Sequence, residues 1–539
     1  MPDSLPRVAY FCMEYGLDDR LKIYAGGLGI LAGDHLKGAH DMGAHLVGIG
    51  IKWKQGYGRQ IIDEDGQPAV VFTDVRYDDL LEDTGVEVTV TIQREDVRIK
   101  VWKVDRFGNA PLYLLDANLP DNPHAWTTSQ LYGGLGEVRV AQEIILGVGG
   151  VRALRALGID VDVYHFNEGH ALLAAFELIR EKRDNGMSYE DAFAATREEV
   201  VFTTHTPVVA GNESHPIERL QYLGADLGLT AEQLENIGGS PFGMTVGALR
   251  LARKANAVAQ LHGETANKMW AHVEGRPEII AITNCIHPQT WVDGEMLRLA
   301  EGDSDDELWE RHQANKRDLI TLVRERTSVE LKEDVLLIGF ARRAVAYKRP
   351  PLIFSDPERI APLLRNGRLQ LLFSGKAHLM DEYGKALISE LVVMQDRYPG
   401  SVVFLEDYAM HIGKLMTRGS DVWLNNPRRP QEASGTSGMK AAMNGVLNAS
   451  VLDGWWPEAC QDGVNGWDIG GGFESDNLAE LDHHDREALY DVVLNKIVPT
   501  YYDHPTKWRA MMLASIESTR DRFSTDRMLP EYYERLYTT

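Results

Sequence analysis

The chain has 539 residues, 44% of them apolar and 25% charged, and carries a net charge of −24. That length exceeds a single hydrophobic core, because cores stop growing near roughly 250–300 residues, and it suits two large domains. The acidic balance argues against nucleic acid or an anionic membrane as the main partner, and no apolar run approaches the roughly 18–20 residues of a membrane span. The N-terminus lacks the basic and apolar regions of a signal peptide. Cys12, Cys285 and Cys460 are few and far apart, with no metal-ligand spacing. A cytoplasmic enzyme with reduced thiols and no metal is expected.

Short β-branched and apolar runs recur at Val8–Met13, His45–Trp53, Val161–Phe166, Val200–Thr204 and Ile279–Thr283. A second series follows at Val335–Ala341, Leu369–Phe373, Val402–Leu405 and Val422–Leu424. Helix-like stretches such as Ala171–Arg183 and Gly384–Gln395 lie between them. Runs apolar on both faces, alternating with helices, predict buried parallel sheets in an α/β fold of two doubly wound domains. The period-two alternation of Gly85–Val104 predicts an antiparallel, half-exposed β excursion near 55–115. The expected division is 1–300 for the first domain, 301–332 for a polar connection, 333–500 for the second domain and 501–539 for C-terminal helices packing back on the first. In such sheets ligands collect at the carboxyl ends of the strands.

Several motifs fall at those ends. Met13-Glu14-Tyr15 precedes the glycine cluster Tyr24-Ala25-Gly26-Gly27-Leu28-Gly29, which lets backbone amides approach an anion or a sugar. Asn167-Glu168-Gly169-His170 and Thr204-His205-Thr206 place a histidine after each of two strands; a structural histidine is the plain alternative for either. Neither comes with a serine-hydrolase or zinc pattern. Arg342-Arg343-Ala344-Val345-Ala346-Tyr347-Lys348-Arg349 puts four basic residues behind one strand of an acidic chain, as an anion site or as an exposed basic edge. Finally, Glu432-Ala433-Ser434-Gly435-Thr436-Ser437-Gly438-Met439-Lys440 sets small residues before strong helix formers, with Lys440 expected in the first turn. A helix start binds anions, and a partly desolvated lysine there can form a Schiff base with an aldehyde cofactor. A Gly/Ser loop with a solvated lysine is the alternative.

The Glu432–Lys440 segment resembles the pyridoxal-phosphate attachment segment of the α-glucan (glycogen/maltodextrin) phosphorylases. The Arg342–Arg349 segment, the glycine cluster and both histidine segments are similar to segments of the same family. So are the shorter matches Leu131-Tyr132-Gly133-Gly134, Ser374-Gly375-Lys376 and Glu406-Asp407-Tyr408. They run in family order from about Val8 to about Asp468. The chain departs at Ala25, at Cys285 after Asn284, and at Gly211-Asn212. It is shorter than the regulated animal enzymes, so control through an N-terminal segment ahead of Val8 is not expected.

The resemblance implies two Rossmann-like domains facing across a cleft (GT-B type). It implies retaining phosphorolysis of α-1,4-glucan to α-D-glucose 1-phosphate, with pyridoxal 5'-phosphate carried on Lys440. Lys348, Tyr408, Gly435, Thr436, Ser437 and Gly438 would surround the cofactor. Arg343 and Lys348 would hold phosphate, with His205 contacting the sugar. Glu14, Gly26, Gly27, Leu28, His170, Asn284, Glu432, Ser434 and Gly435 would complete the substrate site. No carboxylate pair of the glycosidase kind is required. Two rival functions are a nucleotide-sugar-dependent glycosyltransferase of the same class and a non-catalytic glucan-binding homologue. A homo-oligomer is compatible with the sequence.

Overall fold

The computed structural model describes residues 5–77, 79–208, 211–302 and 305–538. Residues 1–4, ahead of Val8, and 303–304 of the expected connection lie outside the described residues. The chain divides into two compact units, one of residues 1–58, 72–283 and 525–539 and the other of residues 59–71 and 284–524. Both are α/β. No helix among the described residues is long and apolar enough to cross a membrane, and no disulfide joins the cysteines.

The first unit is built on a nine-stranded sheet. From one edge its order is Ile279–Ala281, Lys254–Ala257, Val200–Thr203, Val163–Asn167, Val8–Phe11, Leu46–Ile51 and Leu112–Asp116, all parallel. The hairpin of Glu95–Val104 and Glu82–Ile92 continues it antiparallel at the other edge. The segment read as an excursion is thus the rim of the main sheet. The central strands Val8–Phe11, Val163–Asn167 and Val200–Thr203 are buried throughout, which their two-faced apolar pattern requires. Val8–Phe11 lies between Val163–Asn167 and Leu46–Ile51, so the strand order reverses beside it.

The second unit holds a six-stranded, all-parallel sheet in the order Val402–Leu405, Leu369–Ser374, Leu336–Ala341, Val422–Asn425, Leu447–Val451, Gly466–Ile469. Numbered along the chain this is 3-2-1-4-5-6, the order of a dinucleotide-binding doubly wound sheet. Leu336, Ile338 and Phe340 pack into one apolar layer while Leu337 and Ala341 pack into the other. The switch point falls between Leu336–Ala341 and Val422–Asn425.

The unit boundaries differ from the expected ones in three ways. Residues 59–71, including the hairpin Arg59–Ile62/Pro68–Val71, belong with the second unit, as do residues 284–300. The expected connection contains helix Asp305–Thr327, whose buried Leu308, Leu319 and Val323 make it an integral layer of that unit. Of the C-terminal helices, only residues 525–539 belong to the first unit. There Thr525 meets Gly38 closely, and Tyr537 hydrogen-bonds to His165.

Candidate functional site

In the first unit, the loops after Val8–Phe11, Val163–Asn167 and Val200–Thr203 carry the candidate residues. Glu14 is buried, and its carboxylate is already engaged. Oε2 accepts the Ala25 and Gly26 N–H groups at 2.6 and 3.0 Å, and Oε1 accepts the Tyr132 hydroxyl at 2.8 Å. Glu14 therefore shapes the glycine loop from behind. That loop runs into helix Gly27–Asp41, whose N-cap Gly26 supplies no side chain. A Cβ on Gly26 or Gly27 would enter open space, whereas one on Gly33 would lie 2.0 Å from the Gly16 carbonyl oxygen. The outer glycines leave room above the helix start, and the inner one permits close packing.

His170 is buried, and its Nε2 accepts the Met13 N–H at 3.1 Å. Burial, aided by Arg139, depresses its pKa to about 3, so the ring is neutral. His205 is also held neutral at about 3, by burial and then by His262. Its ring Nε2 donates to Asn167 Oδ1 at 2.6 Å, and its backbone N–H donates to Glu168 Oε2 at 2.9 Å. Thr206 Oγ1 donates to the same oxygen at 3.0 Å, and the Gly169 N–H donates to Oε1 at 3.1 Å.

Glu168 is the residue that the sequence reading passed over in favour of its histidine neighbour. It sits at φ 85°, ψ 163°, a region that glycine alone occupies easily. Three hydrogen bonds to its carboxylate hold it there. The only sequence signal was an acidic residue directly after a buried strand.

In the second unit the site forms at the switch point. Arg342 follows Leu336–Ala341; its guanidinium binds Glu432 Oε2 at 2.8 Å and Asn425 Oδ1. Lys348 ends the short turn Ala346–Lys348, and its ammonium meets the same Glu432 oxygen at 2.8 Å. Burial opposes ionisation of Glu432, but Arg342 and Lys348 hold its carboxyl down to about 2. Burial and Arg342 in turn bring Lys348 down to about 7, Glu432 partly offsetting them. Asp453 accepts the Glu432 and Gly454 N–H groups at 2.9 and 2.8 Å, and burial raises its pKa to about 8. Of the basic run, Arg343 is exposed. Arg349 is a structural residue, buried against Asp482 and Asp485.

Gly435, at φ 85°, opens helix Thr436–Met443 without a side-chain cap. Its ideal Cβ position is 3.1 Å from Arg342 Nη2, so the helix start adjoins the cationic cluster. Lys440 is the fifth residue of that helix, one turn inside it. The first-turn placement expected from sequence is corrected: Gly435 is the cap, so the exposed N–H groups belong to the residues just after it. Lys440 is 4% exposed, and its ammonium lies 3.3 Å from the Trp291 ring centroid. Ser437 Oγ accepts the Trp423 indole N–H at 3.2 Å. Tyr408 folds back so that its hydroxyl lies over Gly413. Asn284 is buried in the same unit.

Comparison with known proteins shows what the chain is similar to. Residues 281–484, which include Asn284, the basic run and Lys440, match the profile of the family described as Carbohydrate phosphorylase. The chain is 39% identical to a maltodextrin phosphorylase of Thermococcus litoralis, over 98% of this chain and 70% of that relative. The chain belongs to the carbohydrate phosphorylase family. A glycogen phosphorylase of Mycobacterium tuberculosis is 36% identical, over 98% and 70% of the two chains. One from Aquifex aeolicus is 35% identical, over 98% and 86%.

The residues present fit the cofactor that the phosphorylase resemblance implies. Ser434 is buried with its hydroxyl lacking a hydrogen-bond partner among the described residues, directly beside the Gly435 helix start. That start, Arg342 and Lys348 together form an anion cradle, and Lys440 supplies a desolvated amine on the same helix.

Proposed function

We propose that the chain catalyses phosphorolysis of α-1,4-glucan by orthophosphate, with retention, giving α-D-glucose 1-phosphate and a shortened glucan. Pyridoxal 5'-phosphate on Lys440 is the proposed cofactor, and the cytoplasm is the proposed compartment. The observation that carries the reading is the buried Lys440 one turn inside an uncapped helix start that adjoins Arg342, which shares Glu432 with Lys348. The relatives' names support it.

When bound, the cofactor supplies a phosphate whose second ionisation lies near pH 6. The chain's own residues then have separable tasks. Gly435 and the N–H groups after it face an anion, Lys348 neutralises it, and Glu432 holds Lys348 and Arg342 in register. Arg343, exposed beside them, is the bidentate contact for orthophosphate. Two phosphate groups in one site repel strongly, and these cations offset that repulsion. With the substrate phosphate available as acid and nucleophile on one face of the sugar, no carboxylate pair is needed. On the sugar side, the glycine loop over Glu14 and the neutral His205 orient the glucosyl unit.

The deciding assay measures glucose 1-phosphate released from maltodextrin plus phosphate, with and without added pyridoxal phosphate. Cofactor-dependent release is expected. Absence of release from protein saturated with cofactor would remove the proposal.

A further inference from the structure

One cluster of the first unit takes no part in the phosphorolysis reading: Glu143, Glu213 and His215. Glu143 lies on helix Glu137–Ile144, one turn beyond Arg139. Glu213 and His215 flank Ser214, where Ser214–His215 pairs antiparallel with Phe242–Gly243. Residues two apart in extended chain share a face, and this face meets the helix. Glu213 Oε1 accepts from Arg139 Nε at 2.7 Å, and His215 Nε2 lies 3.8 Å from Glu143 Oε2. One side-chain oxygen or nitrogen from each of the three lies within 4.8 Å of the others. No spacing in the sequence marks them as a set, because they come from segments far apart in the chain.

Their hydrogen bonding is incomplete. The Glu143 side chain is wholly buried and that of His215 is 4% exposed. Yet neither carboxylate oxygen of Glu143 and neither ring nitrogen of His215 has a hydrogen-bond partner among the described residues. Buried polar atoms left in this state are costly unless a ligand, ion or water meets them. Arg139 does not meet them. Its guanidinium is committed to Glu213 and to the Met13 sulfur at 2.8 Å, lies 4.8 Å from the Tyr132 ring centroid, and stays 3.6 Å from Glu143 Oε1.

Charge and ligand chemistry select the occupant. With both carboxylates ionised, the cluster sets two negative charges against one committed guanidinium; partly exposed Arg219 is a further cation facing His215. An anion is therefore disfavoured. Mg²⁺ and Ca²⁺ take six or more ligands, nearly all oxygen, which this cluster with its imidazole does not offer. Two carboxylates and one imidazole are instead three ligands of the kind that hold Zn²⁺, with a fourth position for water. Metal–ligand bonds of about 2.0–2.2 Å set ligand edges at roughly 3.3–3.6 Å, so side-chain rotations that close the widest pair by about an ångström complete the site. Glu213, 30% exposed, lies on the side by which an ion enters.

We propose that Glu143, Glu213 and His215 form a divalent transition-metal site of the zinc class, tying helix Glu137–Ile144 to strand Ser214–His215. It uses none of the residues assigned to phosphorolysis. The cofactor-loaded full chain, freed of metal with a chelator, is titrated with Zn²⁺ alone and with Co²⁺ alone. One equivalent of either should bind, Co²⁺ with the visible absorption of a four- or five-coordinate ion and Zn²⁺ with a rise in melting temperature. Mg²⁺ and Ca²⁺ should not displace Co²⁺; displacement by either would overturn the zinc class.

Glu143→Gln, close in shape, and His215→Asn should each weaken Zn²⁺ binding at least tenfold and remove most of the Co²⁺ absorption. Without metal, Glu143→Gln should melt at or above the temperature of the unsubstituted chain, because an unpaired carboxylate has been neutralised. An unsubstituted chain that takes up no equivalent of Zn²⁺ would overturn the proposal and leave a shared proton or water as the occupant. Zn²⁺ binding that survives both substitutions would overturn it by placing the ion elsewhere. A clear loss of stability in metal-free Glu143→Gln would do so too, by showing that the carboxylate is already paired within the protein.

Discussion

Arg342 and Arg343 are neighbours in sequence with different employment. Arg342 is committed to buried Glu432 and to Asn425, while Arg343 is exposed beside them. Arg343→Ala should fold normally and lose about 2–4 kcal/mol of transition-state stabilisation, seen in kcat/KM for phosphorolysis. Arg343→Lys should recover only part of that, because the planar fork is lost. Arg342→Ala should instead destabilise the fold, on the order of 3 kcal/mol, by leaving Glu432 with Lys348 alone. Equal melting temperatures for the two alanine variants would contradict this division. Lys440 is tested by borohydride reduction of cofactor-loaded protein, which should fix label on the peptide containing Lys440; label elsewhere would reassign the anchor. His205, neutral at about 3, does not titrate where activity is measured. His205→Asn should lower the rate and leave both limbs of the pH–rate profile in place, whereas loss of a limb would make the imidazole a proton carrier. What sequence showed at this scale was residue type at a strand end. It did not show partners: that Glu14 faces its own loop, or that Glu168 bears a strained backbone, follows from hydrogen bonds between segments far apart in the chain.

The helix Gly27–Asp41 separates two uses of glycine within one element. Gly33 lies against the Gly16 backbone, where a Cβ would come within 2.0 Å of the carbonyl oxygen, and Gly27 opens on empty space. Gly33→Ala should therefore push the helix off the sheet and cost about 1–3 kcal/mol or more in chemical denaturation. Gly27→Ala should leave stability unchanged and lower phosphorolysis, because the methyl group occupies room above the helix start. A Gly33→Ala variant of unchanged stability would show that Gly33 does not pack closely on the Gly16 backbone. Elements with two buried faces were legible in sequence, since Val8–Phe11 and Leu336–Ala341 are apolar throughout. Lys254–Ala257 and Gly466–Ile469 were not, being short and mixed with polar residues. The alternation across Glu82–Val104 revealed which side chains share a face, but alternation carries no information about the partner strand, so its place on the sheet edge was missed. Helix Asp305–Thr327 read as a linker because most of its surface is polar; buried Leu308, Leu319 and Val323, with partly buried Trp309, Ile320 and Leu322, commit it to the core.

At the scale of the whole molecule, buried neutral histidines are distributed unevenly. His35, His170 and His205 are brought down to about 3 and His165 well below its usual range, in each case chiefly by burial. All four belong to the first unit. His165 is bonded at both nitrogens, to Tyr537 at 2.8 Å and Thr203 at 2.7 Å, and His35 stacks on Tyr10. A folded pKa below the unfolded value means that the unfolded chain binds more protons between the two. The stability contributed is full above about 6.5 and is lost as pH falls toward 3. Glu213, depressed to about 2 with Arg139 overcoming burial, adds to the same slope at lower pH. Glu143 and Glu168, raised chiefly by burial, act in the opposite sense above about 4.5, but they are outnumbered by the histidines. Acidification from pH 7 to pH 5 should therefore weaken the first unit selectively. The second unit's depressed carboxyls, Glu432 and Asp421, lose their contribution only at lower pH. Hydrogen exchange, corrected for its intrinsic pH dependence, should show protection falling in Val163–Asn167 and Val200–Thr203 while Leu336–Ala341 and Leu369–Ser374 change less. Equal loss in both sheets would mean that these histidines do not set the acid limit of the fold.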